Sequence, residues 1–211
     1  MNFEQIAREE RLNTLTHGFG VLLSIAGLVI MLVVASQSGS ALSIVCAAIF
    51  GATLIALYAA STVYHYFHAH ARVHTFKLLD HAAIYLLIAG SYTPFTLLGL
   101  GGAWGWSIFG TIWGLAVAGL VFKLLFIGKY PRLSTTIYLL MGWLIVVATQ
   151  PMLERMPGGA WFWIIAGGLS YTLGVFFYTR KRMPYAHAIW HLFVLGGSVC
   201  HFFGVLFYLL P

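Results

Sequence analysis

His187 and His191, in the run His187-Ala-Ile-Trp-His191, are four positions apart. On a helix that spacing places both imidazoles on one face about 6 Å apart, which suits two ligands on one ion. Ser61 and His65 have the same spacing, and Asp80 is the only acid at or within an apolar segment. An ionisable residue there is costly, roughly 2.5 to 3.5 kcal/mol for an aspartate at a helix centre, so each is a functional candidate. Three neutral imidazoles with one open position describe a catalytic zinc site; a closed structural site uses four protein ligands, often cysteines. His65, His187 and His191 are the candidate ligands. Asp80 then serves as a carboxylate near the metal that orients water or takes its proton, and Ser61, a turn deeper than His65, hydrogen-bonds a reacting carbonyl or steadies the site. The competing reading is two interfacial histidines wetted by headgroups, since the run lacks the glutamate of a metalloprotease HExxH.

These residues need elements that bring them to one depth. The 211 residues are 61% hydrophobic and 8% charged, with a mean hydropathy of +0.91, far outside the soluble globular range. Apolar stretches at about 16–36, 41–65, 78–99, 103–127, 132–150, 160–179 and 185–210 are each long enough to cross roughly 30 Å of hydrocarbon, and in lipid each must be a helix. The fold expected is an all-α integral membrane bundle of seven transmembrane helices, with residues 1–15 as a cytoplasmic segment and 16–211 as one membrane domain. Span two then runs inward and span seven outward. His65, Asp80, His187 and His191 meet at the cytoplasmic side, provided helix two continues about a turn past His65.

Charge sets the orientation. Arg8, Arg11, Arg72, Lys77, Lys123, Lys129, Arg132, Arg180, Lys181 and Arg182 fall on one side of alternating spans and only Arg155 on the other. The positive-inside rule puts the N-terminus in the cytoplasm and the C-terminus outside, in a multi-pass protein of the cell (inner) membrane. It also explains the net charge of +6 without nucleic acid. Glu4, Glu9 and Glu10 among the first bases argue against a cleaved signal peptide. Cys46 and Cys200 lie in apolar segments and read as small buried hydrophobes.

The remaining polar residues have lesser readings. His68, His70 and His74 fall in an inner loop and read as solvated, while His81 points about 100° away from Asp80 as a supporting residue. His201 is about 15 Å deeper than His191, too far to share an ion, and lines the interior. Glu10, Asn13 and His17 can face the bundle at its cytoplasmic mouth, Glu10 equally well lying at headgroup level. Pro94 should kink span three by freeing the carbonyl of Gly90. The Gly110/Gly114 pair and the Gly196-Gly197-Ser198 patch suggest close helix packing. Trp104, Trp106, Trp161, Trp163 and Tyr185 read as interfacial anchors.

Glu10-Arg-Leu-Asn13, Ser61-Thr-Val-Tyr-His65, Asp80 ahead of an apolar helix, and His187-Ala-Ile-Trp-His191 followed by His201-Phe-Phe-Gly resemble, in this order, the hemolysin III family. This is the bacterial branch of the progestin and adipoQ receptors, within the wider group of alkaline ceramidase-like membrane hydrolases. The resemblance runs from about residue 8 onward. It implies a seven-helix fold and an intramembrane zinc near the cytoplasmic side, with His65, His187 and His191 as ligands, Asp80 holding the metal's water and Ser61 beside it. Eukaryotic relatives are linked to amide hydrolysis on ceramide-like lipids, and bacterial members resemble membrane-fluidity proteins. With no long N-terminal domain and almost no outer loop, binding of a protein hormone is not expected, and no protein partner is inferred. The leading expectation is a zinc-dependent hydrolase of a lipid amide or ester. The alternatives are a fluidity sensor with a structural zinc and, last, a proton pathway through His201.

Overall fold

The computed structural model describes residues 3–126, 128–180 and 182–210. The expected end of span four at Ile127, Lys181 of the last basic cluster, and the chain ends Met1, Asn2 and Pro211 lie outside them. Among the described residues seven helical segments are long and apolar enough to cross a membrane. They comprise α1 (Phe3–Gln37), α2 (Ala41–Tyr66), α3 (Val73–Pro94) with a π-helical continuation (Phe95–Leu100), α4 (Gly102–Leu125), a broken fifth span, α7 (Gly158–Thr179) and α8 (Ala186–Tyr208). The fifth span is α5 (Pro131–Gly142), a 3₁₀ turn (Leu144–Ala148) and α6 (Thr149–Arg155).

Helix α1 begins well before residue 16. Its 35 residues amount to about 52 Å, longer than the hydrocarbon, so the N-terminal segment is a continuation of the span that carries Glu10 and Asn13 onto the bundle wall. It packs along α2, where Gly20 lies so close to the Tyr58 ring that a side chain there would collide with it. Helix α8 returns against α1 and closes the ring, pairing also with α7. Helix α3 is the most enclosed span, with 72% of its most apolar stretch buried against 50% or less in the others, and it forms the axis around which the cavities open.

Two irregularities shape the interior. Pro94 ends the regular part of α3, and the chain continues as a π turn rather than a kinked α-helix. Gly101 and Gly102, both at positive φ, then reverse it within one residue into α4. Arg155 Nη1 donates to Leu100 O at 3.0 Å, giving a partner to a carbonyl at the end of this turn.

The fifth span was expected as one helix over 132–150 and is instead broken at Trp143. Gly142 and the β-branched run Ile145, Val146, Val147 hold the helix weakly, and the freed backbone groups need partners in a membrane. Tyr92 of α3 supplies them. Its hydroxyl donates to the carbonyls of Met141 and Gly142, at 2.9 and 2.7 Å, and accepts from the Ile145 N–H at 2.9 Å.

Gly197 packs against the Tyr171 ring as close packing requires, but Gly110 and Gly114 have nothing within 4 Å of where a side chain would begin. That pair belongs to an open face of α4. Trp104, Trp106 and Tyr185 are exposed, as anchors should be, whereas Trp161 turns inward against the core.

Candidate metal centre

Helix α2 ends at Tyr66, one residue past His65, where the Phe67 N–H bonds Val63 O at 3.0 Å. The extra turn expected of α2 is absent, and the convergence occurs without it. Tyr185, in the left-handed conformation at φ 59, turns the chain into α8 so that His187 lies in its first turn and His191 one turn on. One nitrogen each of His65, His187 and His191 lies within 4.8 Å of the others. His65 Nε2 and His187 Nε2 are 3.2 Å apart. His65 and His191 are buried and His187 is partly so.

The bonds behind the rings decide which nitrogens are free. His65 Nδ1 lies 2.6 Å from Glu10 Oε2; a carboxylate only accepts, so Nδ1 carries the proton and Nε2 presents its lone pair to the cluster. His191 Nδ1 lies 3.1 Å from Thr16 Oγ1, whose hydroxyl hydrogen is directed to the carbonyls of Leu12 and Asn13 at 2.9 and 3.0 Å. Thr16 therefore accepts from Nδ1–H, and His191 Nε2 is left as a buried lone pair with no partner among the described residues. His65 Nε2 and His191 Nε2 present lone pairs to the space that His187 Nε2 also faces. A hydrogen on His187 can satisfy the first but leaves the second without a partner, and the donor set fits a metal ion. The Glu10–His65 pair is the kind of carboxylate–imidazole bond that fixes a ligating ring and raises its basicity.

Around the cluster, Asn13 and His17 are both 1% exposed, and the His17 ring stacks on His191 with centroids 3.5 Å apart. All three of Glu10, Asn13 and His17 thus face the interior. Asp80, 4% exposed, and Ser61, 1% exposed, are buried near His65, and Ser61 Oγ has no hydrogen-bond partner among the described residues. His81 lines the same space and accepts on its backbone carbonyl from the Tyr138 hydroxyl at 2.9 Å. His68, His70 and His74 are exposed.

Two cavities meet here. A polar vestibule of about 340 Å³ is lined by Glu10, His65, Asp80, His187, Lys77 and Lys123. An apolar chamber of about 400 Å³ extends between α3, α5, α7 and α8 to His201, with Leu87, Phe95, Val194 and Trp161 among its walls. Asp80, Tyr178 and Trp190 line both and form the junction. His201 sits at the deep end, its Nδ1 buried without a partner among the described residues. Sequence reasoning missed Thr16, a small hydroxyl in an apolar helix with no distinguishing spacing, and Lys123, which read as one more loop charge yet is 5% exposed.

The sequence profile described as "Haemolysin-III related" matches residues 5–202. The chain is 46% identical to "Hemolysin-3" of Bacillus cereus, over 98% of this chain and 94% of that protein. It is 45% identical to "Hemolysin-3 homolog" of Bacillus subtilis (strain 168), over 95% and 94%. To human "Monocyte to macrophage differentiation factor" it is 32% identical, over 95% and 84%. With seven membrane-crossing helices and matches along nearly its whole length, the chain is a multi-pass cell-membrane protein of the haemolysin III family, the hemolysin III branch of the progestin and adipoQ receptors.

Proposed function

We propose that this protein is a zinc-dependent hydrolase of lipid amide or ester bonds, acting at the cytoplasmic boundary of the cell membrane in lipid homeostasis. The observation that carries the reading is the position of Asp80, a buried carboxylate at the junction between a three-imidazole centre and an apolar chamber. Zinc held by His65, His187 and His191 would supply Lewis-acid activation of a carbonyl and of water near neutral pH. The protein does the rest. Glu10 and Thr16 hold the rings in the tautomer that points Nε2 inward. Asp80 takes a proton from the attacking water and returns it to the leaving amine or alcohol, and Ser61 Oγ orients the Asp80 carboxyl or the scissile carbonyl. The chamber takes the acyl chain and keeps bulk water from the reacting bond.

The inward N-terminus rests on the basic residues: Arg8, Arg11, Arg72, Lys77, Lys129, Arg132, Arg180 and Arg182 lie at the end of the bundle that carries the histidine cluster, and Arg155 lies at the other. The reading is tested with purified protein and a lipid amide or ester labelled in its acyl chain. Release of the labelled acid that is lost in Asp80→Asn, with metal content unchanged, is the expected result; undiminished release from Asp80→Asn overturns it.

A second reading, a fluidity sensor with a structural zinc, is favoured by one feature. The cluster joins α1, α2 and α8 through Glu10, Thr16, His65 and His191, so a metal there would lock three helices together. Stability would then depend on metal while lipid turnover stayed absent.

A further inference from the structure

Among the described residues Lys123 is the one buried lysine or arginine, 5% exposed near the end of α4. Its ammonium lies 5.8 Å from the Tyr138 ring centroid, and among the described residues no carboxylate comes within ion-pair distance of it. An unpaired buried ammonium is costly, and long aliphatic stems normally carry such a charge out to water or headgroups. Here the side chain stays inside and lines the polar vestibule, on the same side as Lys77, with Asp80 as the acid it interacts with.

The opposite wall is already balanced. Glu10 is bonded to His65, and Glu9 faces the backbone N–H groups of Tyr185 and His187 at the start of α8. Lys77 and Lys123 both line the vestibule, and among the described residues neither has a carboxylate within ion-pair distance. A neutral occupant would leave the buried Lys123 ammonium without a counter-ion.

Resting on the hydrolase reading for the position of the scissile bond, we propose that the vestibule is an anion subsite in which Lys123, with Lys77, holds the phosphate of a lipid headgroup while the acyl chain occupies the apolar chamber. The substrate class is therefore a phosphate-bearing lipid, not a neutral one. Lysine suits this task as a compact charge whose ammonium donates to phosphate oxygens with little demand on their direction.

The test compares binding of dioleoyl phosphatidic acid and dioleoylglycerol carrying bromine-labelled chains. The full-length protein is kept in maltoside micelles, and quenching of tryptophan fluorescence is the readout, since Trp143, Trp161 and Trp190 line the chamber. The expected result is a preference of about tenfold or more for the phosphate-bearing lipid. That preference should disappear in Lys123→Met, survive in Lys123→Arg and shrink in Lys77→Met. Equal affinity of the wild type for both lipids, or an undiminished preference in folded Lys123→Met, overturns the proposal. Should Lys123→Met fail to fold, the wild-type comparison and Lys77→Met decide. Displacement of phosphatidic acid by millimolar inorganic phosphate would assign the subsite to the free ion and overturn the lipid assignment. Selective binding without cleavage of either lipid would leave this subsite standing and remove ester hydrolysis on these lipids, whereas cleavage without headgroup preference would keep the hydrolase and overturn the subsite.

Discussion

Glu10 and His65 are 55 positions apart in the chain and meet at 2.6 Å, carboxylate oxygen to ring nitrogen. The bond fixes the proton on the rear of the ring and joins α1 to the cluster without α1 contributing one of its three histidines. Glu10→Gln keeps an acceptor in place and removes the charge. Zinc affinity should fall about tenfold to a hundredfold with the fold retained. Competition with a fluorescent chelator measures this, and unchanged affinity would mean that the carboxylate does not tune the ring.

Purified wild-type protein should contain one zinc per chain. His65→Ala and His191→Ala should each remove it, because two imidazoles leave half of a tetrahedral site unfilled. Elemental analysis of the three proteins decides the matter, and zinc retained in both variants would place the metal elsewhere.

Asp80→Asn preserves shape and removes the base. Turnover of a labelled lipid amide or ester should fall by about 10² to 10⁴-fold while zinc content stays at the wild-type level. Loss of zinc together with activity would instead assign Asp80 to holding the metal.

Stripping the metal with a chelator should lower the thermal midpoint in detergent, and added zinc should restore it, since a ligand bound only by the folded state stabilises in proportion to the logarithm of its concentration. His191→Ala should show no such response. A midpoint indifferent to zinc in the wild type would show that the helices do not depend on the centre.

Tyr92→Phe removes one oxygen from the interior and leaves the Ile145 N–H and the carbonyls of Met141 and Gly142 without their shared partner. A loss of about 1 to 3 kcal/mol is expected for a buried group left unsatisfied, read as a lower thermal midpoint. An unchanged midpoint would mean that the break in the fifth span is held by packing alone.

Much of the fold is legible in the sequence because lipid allows few alternatives: a stretch of about twenty apolar residues is a helix, and seven such stretches place His65, Asp80, His187 and His191 at a common depth. Depth does not give azimuth. The spacing of Glu10, Asn13 and His17 puts them on one face of α1 that can turn to the bundle, but that this face does so, and that Thr16 stands behind His191, depends on how α1 rotates against α2 and α8. The break at Trp143 was hidden for a related reason. Residues 139–148 on either side of the break are all apolar, and the tyrosine that makes the break tolerable sits fifty positions earlier on another helix. Lys123 was masked by its neighbours, since a lysine near a span end normally reaches for water and here the cavity takes the place of water. Gly110 and Gly114 matched a packing motif whose partner helix is absent from that side of α4.

The three imidazoles come from α2 and α8 and their rear supports from α1, so two of the rings arrive on a helix far along the chain from the other elements of the site. A nascent chain halted after six spans has one of the three rings and no place to retain an ion. An ion bound by all three rings would therefore be retained only after α8 has packed against α1 and α2.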